Sequence, residues 1–246
     1  MPWFSPGLLC FLPLACLVLG GATAQAAPLR ICAADWPPFT TETAGRRVGG
    51  LLATRVTRAM ADLGYEATIH VVAWERCLKD LAEGFYAAAY PAAHGRDREV
   101  FGVYPPLPLD TLRYVAVVRK GEGGAWRGGS DLTPLPKPIG VPKGWAVLDE
   151  LAGLPGAVLE ASSQTMEQDV RKVLAGRLGT AVVEARTAAE LLARLDSGGR
   201  LAVLEPPLVS ERKVYLLLGR KAFGNWSAQQ LADKLAARLQ ADTLRP

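Results

Sequence analysis

The residues suited to chemistry in this 246-residue chain are few and widely spaced. His94, Glu184 and Asp35 are the side chains that could serve as the positioned acid or base an enzyme needs. No G-x-S-x-G elbow, glycine-rich phosphate loop or metal-ligand spacing accompanies them. With two histidines in the chain, a His/Cys zinc site is short of ligands, and no cofactor is expected. Arg96 and Arg98 lie in the run Arg96-Asp-Arg-Glu99, which also reads as solvated surface ion pairs. Trp36 and Phe39 flank Pro37-Pro38, whose fixed φ stiffens a loop that either walls a site or plugs the core. Trp74 shares helical spacing with Cys77, Leu78 and Leu81, so core packing competes there with ligand contact. Gly144-Trp145 precedes a helix whose free N–H groups could receive an anion, an ordinary turn and cap being the alternative. Glu184 ends a strand, where simple exposure is the plain reading.

The elements that must position these residues follow a leader. Met1 to Ala26 contains no Asp, Glu, Lys or Arg, and its apolar run, broken by Pro13, is short for a membrane span. It ends in Ala24-Gln-Ala26, a small-x-small cleavage signature, so 1–26 reads as a signal peptide and the mature chain as exported to the periplasm. A retained anchor helix and a lipoprotein through Cys16 are the alternatives, and no Lys or Arg precedes the apolar run. Two cysteines then remain, Cys32 and Cys77. An even pair in an oxidising compartment fits one disulfide, two buried thiols being the other reading. Half of the residues are hydrophobic and the formal charge is +4, spread along the chain, which gives no footprint for nucleic acid.

Short β-like runs alternate with helices of 3.6-residue period. Strands are expected at Leu29–Ala33, Thr68–Val72, Tyr86–Tyr90 and Arg113–Val118, with helices carrying Leu52, Val56 and Met60, and then Trp74, Cys77 and Leu81. After the glycine-rich break at 121–129 come strands at Pro138–Pro142, Ala157–Glu160, Thr180–Glu184, Leu201–Leu204 and Val214–Leu218. Helices are expected from Ala146, from near Ser163, from a capping box at Thr187-Ala-Ala-Glu190 and from a second at Ser227-Ala-Gln-Gln230. Two such series predict two α/β lobes with largely parallel sheets, ligands sitting off the carboxyl ends of the strands.

The segments Ile31-Cys-Ala-Ala-Asp-Trp-Pro-Pro-Phe39, Leu63-Gly-Tyr65, Trp74-Glu-Arg-Cys-Leu78 and Arg98-Glu-Val-Phe-Gly-Val-Tyr-Pro105 carry a resemblance, continued by Ile139-Gly-Val-Pro-Lys-Gly-Trp145 and Leu174-Ala-Gly-Arg-Leu-Gly179. Over essentially the whole mature chain the sequence resembles family 3 of the extracellular solute-binding proteins, the amino-acid type that serves ABC importers. The resemblance implies a two-lobed periplasmic binding protein fold of type II, each lobe a mixed, mostly parallel sheet flanked by helices and joined by two hinge strands. Lobe one would comprise 27–118 and 215–246, and lobe two 119–214, with crossing strands near 115–118 and 215–218. It implies that Arg98, or Arg96 if the match slips by two residues, clamps a ligand carboxylate, which a guanidinium fits with paired donors. It likewise implies that Trp36 stacks over the ligand and that Glu184 pairs with an amino acid's ammonium group. The ligand set is then Trp36, Phe39, Trp74, Arg96, Arg98, Trp145 and Glu184. The expected function is non-catalytic capture of a small carboxylate-bearing solute by a monomer that delivers it to the membrane subunits of an ABC importer or to a sensor. The alternatives are an enzyme on the same scaffold, such as a dehydratase, and a degenerate partner protein. The chain departs from the family pattern at Ala87 and Gly179, where Asp is usual, and at Pro91-Ala-Ala-His-Gly95, where Ser/Thr often precede the arginine.

Overall fold

A computed structural model describes Met1 and residues 28–243. The leader expected over 1–26 lies, Met1 apart, outside the described residues. The first half runs through strand β1 (Leu29–Ala33), the short pair β2 (Thr41–Glu42) and β3 (Val48–Gly49), helix α1 (Leu51–Asp62) and strand β4 (Ala67–Val71). Helix α2 (Trp74–Glu83), strand β5 (Ala88–Ala93), the turn of helix α3 (Arg96–Glu99), strand β6 (Gly102–Val103) and the long strand β7 (Asp110–Arg119) follow. The second half contains β8 (Ile139–Gly140), α4 (Ala146–Ala152), β9 (Leu159–Glu160), α5 (Met166–Leu174), β10 (Thr180–Glu184) and α6 (Ala185–Leu195). It closes with β11 (Leu201–Gly219), α7 (Arg220–Phe223) and α8 (Asn225–Thr243).

The strands form one curled sheet in the order β4-β1-β5-β11-β7-β10-β8-β9, with β6 pairing on β11. Within each half the pairing is parallel, β4-β1-β5 at one end and β10-β8-β9 at the other. The halves are joined by the antiparallel pair β7 and β11. β10 pairs with β7 at residues 114–118, whereas β5 and β6 pair with β11 over residues 214–219. The segment 110–112 against 212–214 therefore carries the chain between them. This is a mixed α/β fold of two lobes, as the alternation of elements predicts.

β11 differs from expectation. The pattern predicts two separate strands, Leu201–Leu204 and Val214–Leu218, with Pro206-Pro207 and the polar run Glu211-Arg-Lys213 between them. The strand instead continues through 19 residues and absorbs the interruption as register shifts between Leu204 and Val209 and between Val209 and Arg212. Two other boundaries move for local reasons. α5 starts at Met166 under a Thr165/Gln168 capping box rather than at Ser163. α8 starts at Asn225, ahead of Ser227.

The main core is continuous through both lobes, from Ile31, Val56 and Met60 through Val115 and Val117 to Val170, Val182 and Leu191. A smaller cluster beneath α2 joins Trp74, Cys77, Leu81, Tyr86 and Leu217 around Cys32. Cys32 and Cys77 form a disulfide with 5.6 Å between Cα atoms, inside the range such a bridge needs. It ties α2 to β1, and α2 carries Trp74 to the edge of the cleft.

Candidate functional site

The loops at the carboxyl ends of β1, β5 and β8 converge on a cleft between the lobes. Its cavity is narrow, with about 30 Å³ of space for a small molecule's atoms, and opens onto solvent. Trp36, Trp74, Tyr114 and Trp145 supply aromatic walls, while Arg98 and Arg212 supply the charged groups. No aspartate or glutamate lines it among the described residues, but an adjoining cavity that shares Arg98, Ala146 and Arg212 is also lined by His94, Asp97, Asp149 and Glu150.

Each wall has a local cause. Trp36 follows β1 in a tight loop in which Trp36 and Thr40 form a β-bridge, with the amides of Phe39 and Thr40 bonded to the Trp36 carbonyl at 2.8 and 2.9 Å. Two prolines in that loop leave the chain little freedom to swing the indole away. From the other lobe Trp145, at the N-terminus of α4, meets Trp36 edge-on with centroids 4.4 Å apart. Gly144 before it holds a φ of +74°, and a Cβ there would sit 3.0 Å from Glu75 Cγ on α2. Glycine thus permits both the turn and the close approach of the lobes. Nearby, Lys143 pairs with Glu75 at 3.5 Å.

Arg98 is 7% exposed, on the helical turn after β5. Its Nη1 donates to the Ala93 carbonyl at 2.9 Å, and its guanidinium lies over the Trp74 ring at 5.9 Å. Nε is buried with no hydrogen-bond partner, and the nearest carboxylate, Asp97, stands 3.9 Å away on a side chain that is 79% exposed. Tyr104 also donates to the Ala93 carbonyl, and burial raises its hydroxyl above the usual phenol range. Arg96, two residues earlier, is exposed and lines no part of the cavity. Arg212 reaches the cleft from β11 and is paired with Glu150 of α4. Neither Arg212 nor Tyr114 stands out by residue type or spacing. One sits in a run of charged residues and the other is one of many apolar positions in β7.

The remaining expected ligand residues lie elsewhere. Phe39 is fully buried beneath Trp36, 4.9 Å centroid to centroid, with Arg186 over its other side at 4.5 Å. Glu184 is 1% exposed and is the N-cap of α6. One oxygen accepts from the amides of Arg186 and Thr187 at 2.7 and 3.1 Å, and the other pairs with Arg186 Nε at 3.2 Å. Both oxygens expected for an ammonium group are therefore engaged. The cap also displaces the capping box expected at Thr187, since a strand-end carboxylate reaches the free amides three residues earlier. Thr187 is instead an interlobe contact: its hydroxyl accepts from Trp36 Nε1 and donates to the Pro37 carbonyl, each at 2.9 Å.

The Trp36–Trp145 contact divides the cleft. Beyond it lies a second hollow lined by Asp35, Thr165, Glu167 and Thr187 as well as both tryptophans. Burial raises the Asp35 carboxyl above its ordinary value. The hydrogen bond from Arg194 lowers that of Glu167, which pairs with Arg194 and Arg171 at 2.6 and 2.7 Å. His94 Nε2 pairs with Glu99 at 2.9 Å, outside the first cavity.

No protein-family model matches the chain, and no curated protein matches it in sequence. Its fold is nonetheless that of the two-lobed periplasmic solute-binding proteins. Holo ArgBP from T. maritima aligns over 89% of this chain and 91% of its own length with a TM-score of 0.71 at 18% identity. The substrate-binding protein of an amino acid ABC transporter aligns over 88% and 95% with the same score and identity. A histidine kinase sensor domain with similarity to periplasmic binding proteins aligns over 87% and 89%, with a TM-score of 0.69 at 17% identity.

Proposed function

We propose that this chain is a periplasmic, non-catalytic receptor that closes two lobes on a small carboxylate-bearing solute. The observation that carries the reading is Arg98. A buried guanidinium, one nitrogen of which has no hydrogen-bond partner, faces an interlobe cavity walled by tryptophans. Such a group offers paired donors to a carboxylate and is held in place before the ligand arrives. Trp36 and Trp145 come from opposite lobes, so closure and enclosure of the solute are one event. The possible acids and bases support binding over catalysis: Glu184 caps a helix, His94 pairs with Glu99, and Asp35 belongs to the second hollow.

In this reading 1–26 is removed on export, the chain before the 110–112 crossing and after the 212–214 crossing builds one lobe, the chain between them builds the other (so the boundary expected at 118 moves back to about 112), and the protein acts as a monomer. It passes its solute to the membrane subunits of an ABC importer, or reports it to a sensor. A thermal-shift screen of the purified protein against small carboxylates tests the function. A ligand at a hundredfold excess over Kd stabilises by about 2.7 kcal/mol, an easily read rise in melting temperature. A screen in which no small solute shifts the transition contradicts it.

A further inference from the structure

We infer that Thr187 is a positioning residue that latches the two lobes through Trp36 and thereby sets how tightly the cleft holds its solute. The effect on affinity rests on the reading of the cleft as a solute site, whereas the latch itself rests on the fold alone.

The first argument is where its hydrogen bonds go. Thr187 lies buried in the first turn of α6, and both roles of its hydroxyl are directed at the other lobe. It accepts from Trp36 Nε1 and donates to the Pro37 carbonyl, each at 2.9 Å. A threonine hydroxyl within a helix ordinarily turns back to a carbonyl of its own helix. This one is committed instead to partners it meets only when the lobes are together. Removing the hydroxyl from that arrangement leaves the buried indole N–H unpaired, and an orphaned buried donor costs more than the bond itself contributes.

The second argument is what the bond fixes. Nε1 is the one donor an indole has, so a bond to it sets the orientation of the ring as well as its place. The same ring lines the cavity and meets Trp145 edge-on with centroids 4.4 Å apart. Thr187 lines the second hollow and not the cavity with Arg98. It therefore acts on a solute through Trp36, without touching it.

The third argument weighs the other contacts between the lobes. Lys143 and Glu75 are 55% and 49% exposed, so salt screens the pair and it contributes little. Arg186 lies over Phe39 at 4.5 Å but is drawn at the same time to Glu184 and Asp110. Thr187 and Trp36 are neutral and buried, and a latch built on them holds at any ionic strength. A contact of this kind needs no solute, so the closed arrangement is populated before a solute arrives. Affinity for every solute then scales with that population.

Small-angle scattering of the solute-free protein tests the latch on the unaltered chain, Thr187→Val and Thr187→Ser. Valine keeps the shape and removes the hydroxyl, and serine restores it. The expected result is a larger radius of gyration for Thr187→Val alone, and for the unaltered protein the same radius at low and high salt. Titration calorimetry with the tightest carboxylate from the screen should then give Thr187→Val about a tenfold higher Kd, and Thr187→Ser a Kd within about twofold of the unaltered protein. If Thr187→Val fails to fold, Trp36→Phe removes the donor from the other partner and should expand the solute-free protein in the same way. Equal radii, serine behaving as valine, or expansion of the unaltered protein in high salt overturns the inference and leaves the receptor reading standing. Expansion of Thr187→Val with an unchanged Kd overturns it as well. A screen that yields no solute removes the receptor reading, and the scattering still decides the latch.

Discussion

At the residue scale, lobe two contains a buried acid that the binding reading does not use. Asp169 on α5 is fully buried, and its carboxylate makes no hydrogen bond. Burial pushes it up to about 6 from an ordinary 3.8, although Lys172, 4.0 Å away, eases the ionised form and Glu160 opposes it. An acid whose pKa is higher in the folded than in the unfolded state binds its proton more tightly when folded. Its contribution favours the native state below about pH 4 and is lost as pH rises through about 6. Asp169→Asn should therefore raise the stability at pH 8, by on the order of 2 kcal/mol, and leave it little changed at pH 4. Urea melts at the two pH values check this, and an equal effect at both would refute the assignment.

At the element scale the sequence was legible where a pattern repeats. The apolar stripe of α1 and the β1 and β10 runs lie within a residue or so of where periodicity put them, because burial alone fixes them. It was less legible where tertiary contact overrides the local signal. Thr187 has the spacing of a cap yet sits inside α6, bonded to Trp36 and Pro37 of the other lobe. Only the meeting of the first turn of α6 with a loop 150 residues away gives it that role. β11 similarly hid its length behind a proline pair. Trp36, Trp145 and Arg98 stood out by residue type, whereas Arg212 and Tyr114 enter the cavity only through the crossing of β7 and β11.

Two predictions belong to elements. Glu184→Ala removes the cap of α6 and costs a half-buried Arg186 one of its two carboxylate partners, leaving Asp110 at 2.9 Å and the Phe39 ring at 4.5 Å. The loss should be about 1–2 kcal/mol in denaturant melts, with the affinity for the captured solute nearly unchanged. A large loss of affinity without loss of stability would return Glu184 to the ligand. Reduction of Cys32–Cys77, or Cys32→Ser, opens a loop spanning 45 residues and should cost about 2–4 kcal/mol. The melting temperature with and without reductant reads it, and insensitivity to reductant would contradict a formed bridge.

At the scale of the whole molecule, the account makes the cleft one machine assembled from both lobes. Trp36 and Arg98 are supplied by one lobe and Trp145 by the other. Thr187, Lys143 and Gly144 bring the lobes together around them. Continuity of the core through β7 and β11 means that closure bends a connected sheet rather than docking two separate bodies. The central claim is that Arg98 anchors the solute. Its direct test is calorimetry with the tightest carboxylate found for the unaltered protein, repeated on Arg98→Ala and Arg96→Ala. The account predicts that Arg98→Ala loses about 2–5 kcal/mol of binding and remains folded, while Arg96→Ala binds normally. Normal binding by a folded Arg98→Ala protein would contradict it.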